Sequence, residues 1–141
     1  MKEFPSSDVK FDLVKSNVIN LNQIKNQSRS LYMAAVQINP KAILYMQVQY
    51  EDVCIHAVAQ CGDLLKDVHQ QTELICLAAV KNEGLALKYV RQQTDEICLA
   101  AVQNNGFSIK YVVQQTEQIC IAALSAQPLA IKYIKQPTEK M

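Results

Sequence analysis

The sequence has no tryptophan, only three glycines and a charged fraction of 19% that balances to a net charge of +1. So small a basic excess argues against nucleic acid as the main partner, since nucleic-acid binding usually needs a strong positive charge. Apolar runs such as 75–80 are far shorter than the ~20 residues of a membrane helix. No nucleophile motif, metal-binding box or phosphate loop stands out. We therefore expect no membrane association, and the composition does not indicate an enzyme.

Cysteine is present but does not form the pattern of a disulfide-bonded domain. The count is five, an odd number, and four of the cysteines recur at one long interval, which is no disulfide framework. Free thiols are typical of a reducing compartment. The segment 1–8 also lacks the apolar core of a signal peptide. We therefore expect an intracellular, cytoplasmic protein.

The chain is organised by a repeat of 22 residues. Threonine recurs at Thr72, Thr94, Thr116 and Thr138, and each step is 22 residues. A period in this range is the signature of a solenoid. The chain is therefore interpreted as one repeat domain, 1–141, with repeats 28–49, 50–71, 72–93, 94–115 and 116–137, a degenerate N-terminal capping repeat 6–27 and a stub 138–141. The first frame is rich in polar residues, as expected of a terminal repeat with one solvent-facing side.

Each repeat is predicted to hold two short helices. Thr94 is a suitable N-cap, and Asp95 and Glu96 follow where the helix dipole favours negative charge. Gly106 is expected to end this helix in a left-handed conformation. The second helix, starting at Phe107, reads as an ordinary amphipathic α-helix. The first is apolar on most sides, so we expect it to be sandwiched between neighbouring repeats and the second to be more exposed.

The fold class that follows is all-α: an α-solenoid of about six 22-residue helix-turn-helix repeats, either right-handed or with a hand the sequence does not specify. A leucine-rich horseshoe with short strands is the rival, since its repeats have a similar length. Alanine-rich segments and threonine N-caps favour helix over strand.

The repeat also resembles a known family. The pattern Thr-x-Glu-Ile-Cys-Leu-Ala-Ala-Val-x-x-Asn-Gly-x-x-Ile/Leu-Lys-Tyr-Val is similar to the repeat of the uncharacterised "domain of unknown function 4116" family, known mainly from giant DNA viruses of protists. The similarity is close over 72–137 and looser over 28–71. The resemblance implies a helical-repeat protein of viral origin, acting in the host cytoplasm or packaged in the virion. It carries no activity, so it assigns no functional residue.

The cysteine series Cys54, Cys76, Cys98 and Cys120 could indicate metal or iron–sulfur ligation. Equivalent residues of stacked helices lie on the order of 10 Å apart, whereas zinc needs its sulfurs ~2.3 Å from one ion. We therefore predict that these cysteines are small buried hydrophobic residues, with Cys76 and Cys98 buried and unreactive. No metal and no cofactor is expected.

A lysine–tyrosine ladder is the candidate interaction surface. Aligned aromatic and basic side chains could stack bases and hold phosphates, and tyrosine is also enriched at protein interfaces. Tyr45 lies outside this series but holds the same position in its own repeat. The lysines could instead form ion pairs with Glu73, Asp95, Glu96 or Glu117. The ladder residues are Lys88, Tyr89, Lys110, Tyr111, Lys132 and Tyr133.

Repeat 50–71 departs from the pattern. Polar groups replace the usual apolar residues, and Asp63 and Asp67 are four residues apart, hence on one helix edge. These residue types can build a metal or acid–base site, but their spacing matches no known motif, and drift explains them equally well. The residues in question are His56, Cys61, Asp63, Asp67 and His69.

The last repeat keeps the internal apolar pattern with no capping sequence after it, so we expect an exposed apolar C-terminal face. The residues of this face are Ile121, Leu124, Leu129, Ile131 and Ile134. The leading hypothesis is a non-enzymatic protein-interaction or structural module that binds a protein partner or a second copy through this face. The alternative is a nucleic-acid-associated protein that uses the lysine–tyrosine ladder.

Overall fold

The computed structural model describes residues 29–135, and all regular structure in this range is helical. Five units follow one another, each an α-helix and then a 3₁₀ helix (η). The elements in chain order are α1 Arg29–Ile38, η1 Pro40–Tyr45, α2 Glu51–Gln60, η2 Gly62–Asp67, α3 Glu73–Asn82, η3 Gly84–Tyr89, α4 Asp95–Asn104, η4 Gly106–Tyr111, α5 Glu117–Ala126 and η5 Pro128–Tyr133. The all-α prediction is confirmed, and no strand occurs in this range that would support a horseshoe. The predicted capping repeat 6–27 and the stub 138–141 lie outside the described residues.

The α-helices begin where the threonine caps predict. The hydroxyls of Thr72, Thr94 and Thr116 accept the N–H of the third helical residue at 3.2–3.3 Å. Such a bond satisfies one of the free N–H groups of the first turn. Tyr50 holds this position before α2 and makes no side-chain cap bond. The threonines therefore set the helix starts in the three C-terminal units.

The second helix of each repeat is a six-residue 3₁₀ helix, so the prediction of an amphipathic α-helix is wrong. An extended residue, such as Asn105 with φ −148° and ψ 109°, separates it from the α-helix before it. Another extended residue, Val112, ends it six residues later. A segment this short has little room for α-type bonds, and 3₁₀ bonds are used in short pieces.

The glycines do not have the predicted left-handed conformation, because neither Gly84 nor Gly106 has a positive φ. Each begins a 3₁₀ helix and packs against the backbone of the following α-helix. A Cβ atom at Gly84 would overlap the carbonyl oxygen of Ala101, and one at Gly106 would overlap that of Ala123. Glycine is therefore required for close approach between units and not for backbone freedom.

The core runs along the stack. Each internal α-helix buries an isoleucine or valine, a cysteine, an alanine and a valine, as α4 does with Ile97, Cys98, Ala101 and Val102. Each α-helix packs against the next α-helix and against the 3₁₀ helix of the preceding unit. The first helix of each repeat is thus sandwiched between neighbours, as predicted. None of the helices within 29–135 is both long and apolar enough to cross a membrane.

Candidate functional site

The lysine–tyrosine ladder occupies the last two positions of three consecutive 3₁₀ helices, η3, η4 and η5. The lysines are exposed and the tyrosines are half-buried. In each pair the lysine Nζ lies 5.1 Å from the centroid of the adjacent tyrosine ring, within the range of a cation–π contact. The contact with Tyr89 also raises the pKa of Lys88, so this ammonium stays charged.

These pairs lie in one row along the stack, and ring contacts between units link η2 to the pair of η3 and the pair of η4 to that of η5. Lys110 Nζ lies 5.4 Å from the ring of Tyr133 in the next unit, and Lys66 extends the row by contacting Tyr89 at 5.9 Å. Phe107 packs edge-on against Tyr133, with centroids 5.9 Å apart. The row does not reach Tyr45, whose neighbour in η1 is Leu44. The structure therefore places the six predicted ladder residues on one surface.

The ladder lysines do not pair with the acidic residues considered in the sequence analysis. Among residues 29–135, the ion pair joins Arg29 and Asp52, and no carboxylate lies within ion-pair distance of a ladder lysine. The carboxylate of Glu73 instead accepts the hydroxyl proton of Thr94 at 3.1 Å. Within 29–135 the ladder lysines thus form no ion pair. The charge of Asp63 helps to raise the pKa of Lys88 but acts from beyond ion-pair distance.

A second periodic feature was missed by the sequence analysis. The side-chain amide of Gln93 donates to the Tyr111 carbonyl at 2.7 Å, and its oxygen accepts the Val113 N–H at 3.0 Å. One side chain thereby holds the loop that leaves the 3₁₀ helix of the following unit. The same pair of bonds is made by every member of the series, which we call the glutamine clamps: Gln49, Gln71, Gln93 and Gln115.

The signal for the glutamine clamps was present in the sequence as glutamine at a strict 22-residue interval. A series of asparagines makes bonds in the opposite direction, from one unit back to the unit that precedes it. Asn82 accepts the Gly62 N–H at 3.0 Å, and Asn104 accepts the Gly84 N–H. Both series pair backbone groups that would otherwise be unpaired between units. They therefore hold neighbouring units together, and of the ladder tyrosines they bond only the backbone carbonyls.

The four periodic cysteines lie in the core. Cys54, Cys76, Cys98 and Cys120 are buried and free, and none forms a disulfide. Burial raises the pKa of Cys54 and of Cys98 to about 11. The thiols of Cys76 and Cys98 point at the clamp oxygens of Gln71 and Gln93, at 3.7 and 3.4 Å. Their predicted burial is confirmed, and their low reactivity stays a prediction.

The described residues of the irregular repeat do not assemble a metal site. His56 and His69 are exposed, Cys61, Asp63 and Asp67 are half-buried, and across residues 29–135 no group of three His, Cys, Asp or Glu side chains is placed to hold a metal ion. The backbones of Asp67 and His69 are instead held by the Gln49 clamp.

A cleft of about 290 Å³ lies between the loops of two neighbouring units. Its lining includes Arg91 and Glu73. Arg91 donates to the carbonyls of His69 and Val68 at 2.8 and 3.0 Å, and Glu73 accepts from Thr94. The charged groups of the cleft are thus engaged in bonds that join the units.

The C-terminal face is exposed at three of its five predicted positions. Ile121, Leu129 and Ile131 are 48%, 71% and 53% exposed. Leu124 is half-buried, whereas Val102, which holds the same position in the preceding unit, is buried, so the predicted exposure of Leu124 is partial. Ile134 is buried like the corresponding core residue Val112, so its predicted exposure is wrong.

Comparison with known proteins gives one family. Residues 72–113 match the model of the family described as "Domain of unknown function (DUF4116)". The match covers the repeat pattern on which the resemblance was based and confirms it. No curated protein and no solved structure shows significant similarity to the chain.

Proposed function

We propose that this chain, whose residues 72–113 match the uncharacterised DUF4116 family, is a non-enzymatic helical-repeat module that binds proteins and pairs with a second copy through its C-terminal face. Repeat solenoids present extended surfaces built from nearest-neighbour contacts. Exposed apolar patches of a few hundred Å² commonly mark such interaction sites.

One observation carries the proposal. Ile131 is 53% exposed in η5, whereas Ile109 and Leu87, which hold the same position in the preceding units, are 0% exposed. The last described unit therefore presents to solvent an apolar side chain at a position that the two preceding units bury. Burying this side chain against a partner contributes roughly 25 cal/mol of favourable binding free energy per Å² of apolar surface.

The chemistry of the face favours a second copy. Helix α5 carries a single charged residue, Glu117, at its first position. Helix η5 adds one charge of opposite sign, Lys132, so two copies of the face meet without net like-charge repulsion. Pro137 stands in the register of the glutamine clamps and has no side-chain amide to hold a further unit. We therefore propose face-to-face pairing with two-fold symmetry, which closes as a dimer, over head-to-tail stacking.

Sedimentation of the whole chain tests this proposal. The wild type is expected to dimerise in the micromolar range, and Ile121→Glu/Ile131→Glu to be monomeric. The matched control is Leu74→Glu/Val113→Glu, because both residues are exposed apolar side chains of internal units, at 58% and 76%. The control is expected to dimerise like the wild type. A wild type that stays monomeric at high micromolar concentration contradicts the proposal.

We further propose an intracellular setting, supported by five free cysteines, which are typical of reducing compartments. The viral origin implied by the family resemblance remains a prediction. Detection of the protein in purified virus particles or in infected host cells would test both.

A further inference from the structure

We propose that the lysine–tyrosine ladder binds an extended acidic peptide with one carboxylate in every third position. The inference rests on the proposed protein-binding function but concerns a different surface from the C-terminal face. Four lysines on this row, Lys66, Lys88, Lys110 and Lys132, lie in the same register of η2 to η5 and are exposed.

The ammonium groups are held in place, and none of them is neutralised by an ion pair within 29–135. Each ladder lysine contacts its own tyrosine ring at 5.1 Å, which limits the freedom of its long side chain. Among residues 29–135, no carboxylate pairs with it. Positive charges that are already ordered lose less conformational entropy when a partner binds. The row is therefore suited to carboxylates supplied by another molecule.

The spacing of the row indicates the conformation of the peptide. Lys110 and Lys132 lie 5.4 and 5.1 Å from the same ring, that of Tyr133, so their ammonium groups are at most about 10.5 Å apart. A polyproline II peptide advances about 9 Å per turn of three residues. Carboxylates at every third position then project from one side at an interval that falls within this upper limit on the lysine spacing.

The same contacts disfavour nucleic acid. Stacking of bases on a protein needs accessible aromatic faces. Here each tyrosine of the ladder is half-buried, and its own lysine lies over the ring. The whole chain has a net charge of only +1, which provides little general attraction for a polyphosphate.

Binding of a fluorescein-labelled peptide of four Glu-Pro-Pro triplets, followed by anisotropy at low salt, tests the inference. Lys88→Glu/Lys110→Glu is expected to weaken binding at least tenfold. The matched control is Lys41→Glu/Lys81→Glu, which changes the net charge equally at exposed lysines outside the ladder and is expected to bind within twofold of the wild type.

Two further probes separate the alternatives. A peptide of the same composition with its four glutamates in one block is expected to bind several-fold more weakly than the triplet peptide. Equal binding of the two peptides, or equal losses in the two lysine variants, overturns the inference in favour of diffuse charge attraction. Tighter binding of a single-stranded oligonucleotide than of the triplet peptide overturns it in favour of nucleic acid.

Peptide binding by the ladder and dimerisation through the C-terminal face can be measured separately. The ladder variants are expected to dimerise like the wild type, since their substitutions lie outside α5 and η5. A chain that dimerises but does not bind the triplet peptide contradicts the ladder inference alone. A monomeric chain that binds the peptide contradicts the proposed pairing alone.

Discussion

At the scale of the residue, Ser108 is the side chain least suited to its surroundings. It is 0% exposed, and its hydroxyl is the one buried side-chain oxygen or nitrogen within 29–135 that has no hydrogen-bond partner. Ala86 and Ala130 hold the same position in the neighbouring 3₁₀ helices. Burying an unpaired hydroxyl costs about 1–3 kcal/mol.

We therefore expect Ser108→Ala to raise the free energy of unfolding by about 1 kcal/mol, measured by urea denaturation. The reciprocal variant Ala86→Ser is expected to lower it by a similar amount, since Ala86 is 0% exposed. A loss of stability in Ser108→Ala would mean that the hydroxyl has a partner, such as a buried water.

Gly106 is limited by its contact with the next helix. A Cβ atom there would overlap the Ala123 carbonyl oxygen and lie 3.0 Å from the Gln127 backbone nitrogen. Gly106→Ala is expected to lower the free energy of unfolding by about 1–3 kcal/mol, as overpacking does. The comparison is Gly62→Ala, whose closest backbone contact is 2.7 Å and whose loss should be smaller. Equal stability of wild type and Gly106→Ala contradicts the close approach of the units.

Because the buried thiols resist ionisation, the free energy of unfolding is expected to fall at alkaline pH. Burial raises the pKa of Cys98 from 9.0 to about 11, so above pH 9 the unfolded chain loses this proton before the folded chain does. Stability is then lost as pH rises from about 9 to 11, by up to about 1.4 kcal/mol per pH unit for one thiol. Cys98→Ala should show a shallower decline in this window, measured by urea denaturation at each pH. Parallel declines would show that the thiol ionises equally in both states.

At the scale of the element, the 3₁₀ helices depend on both neighbours. Asn104, from the following unit, accepts the N–H of Gly84 at the start of η3. Gln71, from the preceding loop, holds the Tyr89 carbonyl and the Arg91 N–H at its end. A six-residue helix has few internal bonds, so these bonds between units supply what the helix cannot form alone.

Removal of one glutamine clamp should destabilise the whole stack. Gln93→Ala leaves the Tyr111 carbonyl and the Val113 N–H without their partner, and we expect a loss of about 2 kcal/mol in the free energy of unfolding. Gln92→Ala, at the exposed adjacent residue, is the control and should stay within ~0.5 kcal/mol of the wild type. Similar losses in both variants would argue against the clamp.

At the scale of the whole molecule, the repeat and its helical class could be predicted because they depend on local patterns. Thr94 and its equivalents begin helices through a bond three residues away, which a sequence displays directly. The 3₁₀ type of the second helix was missed because its apolar pattern was compared only with the period of an α-helix. A bond such as that from Gln93 to Tyr111 joins two units and forms only once they are stacked. The periodicity of a short segment therefore does not reveal it.

The candidate surfaces were predictable to different degrees. The ladder lysines were identified from their interval, but their contacts with the rings depend on how the units are stacked. The C-terminal face was predicted from an apolar pattern alone, which cannot separate Ile131, exposed to solvent, from Ile134, which is buried. That distinction depends on where η5 ends, because Ile131 lies in the 3₁₀ helix and Ile134 is the extended residue that follows it.

The glutamine clamps also give each junction between units its own reporter in hydrogen exchange. The N–H groups of His69, Arg91, Val113 and Lys135 lie outside the helices and are bonded to a glutamine of the preceding unit. Such an amide exchanges with solvent when its clamp opens, and its protection factor measures the free energy of that opening. Four amides, read in one spectrum, would therefore map local stability from one end of the stack to the other.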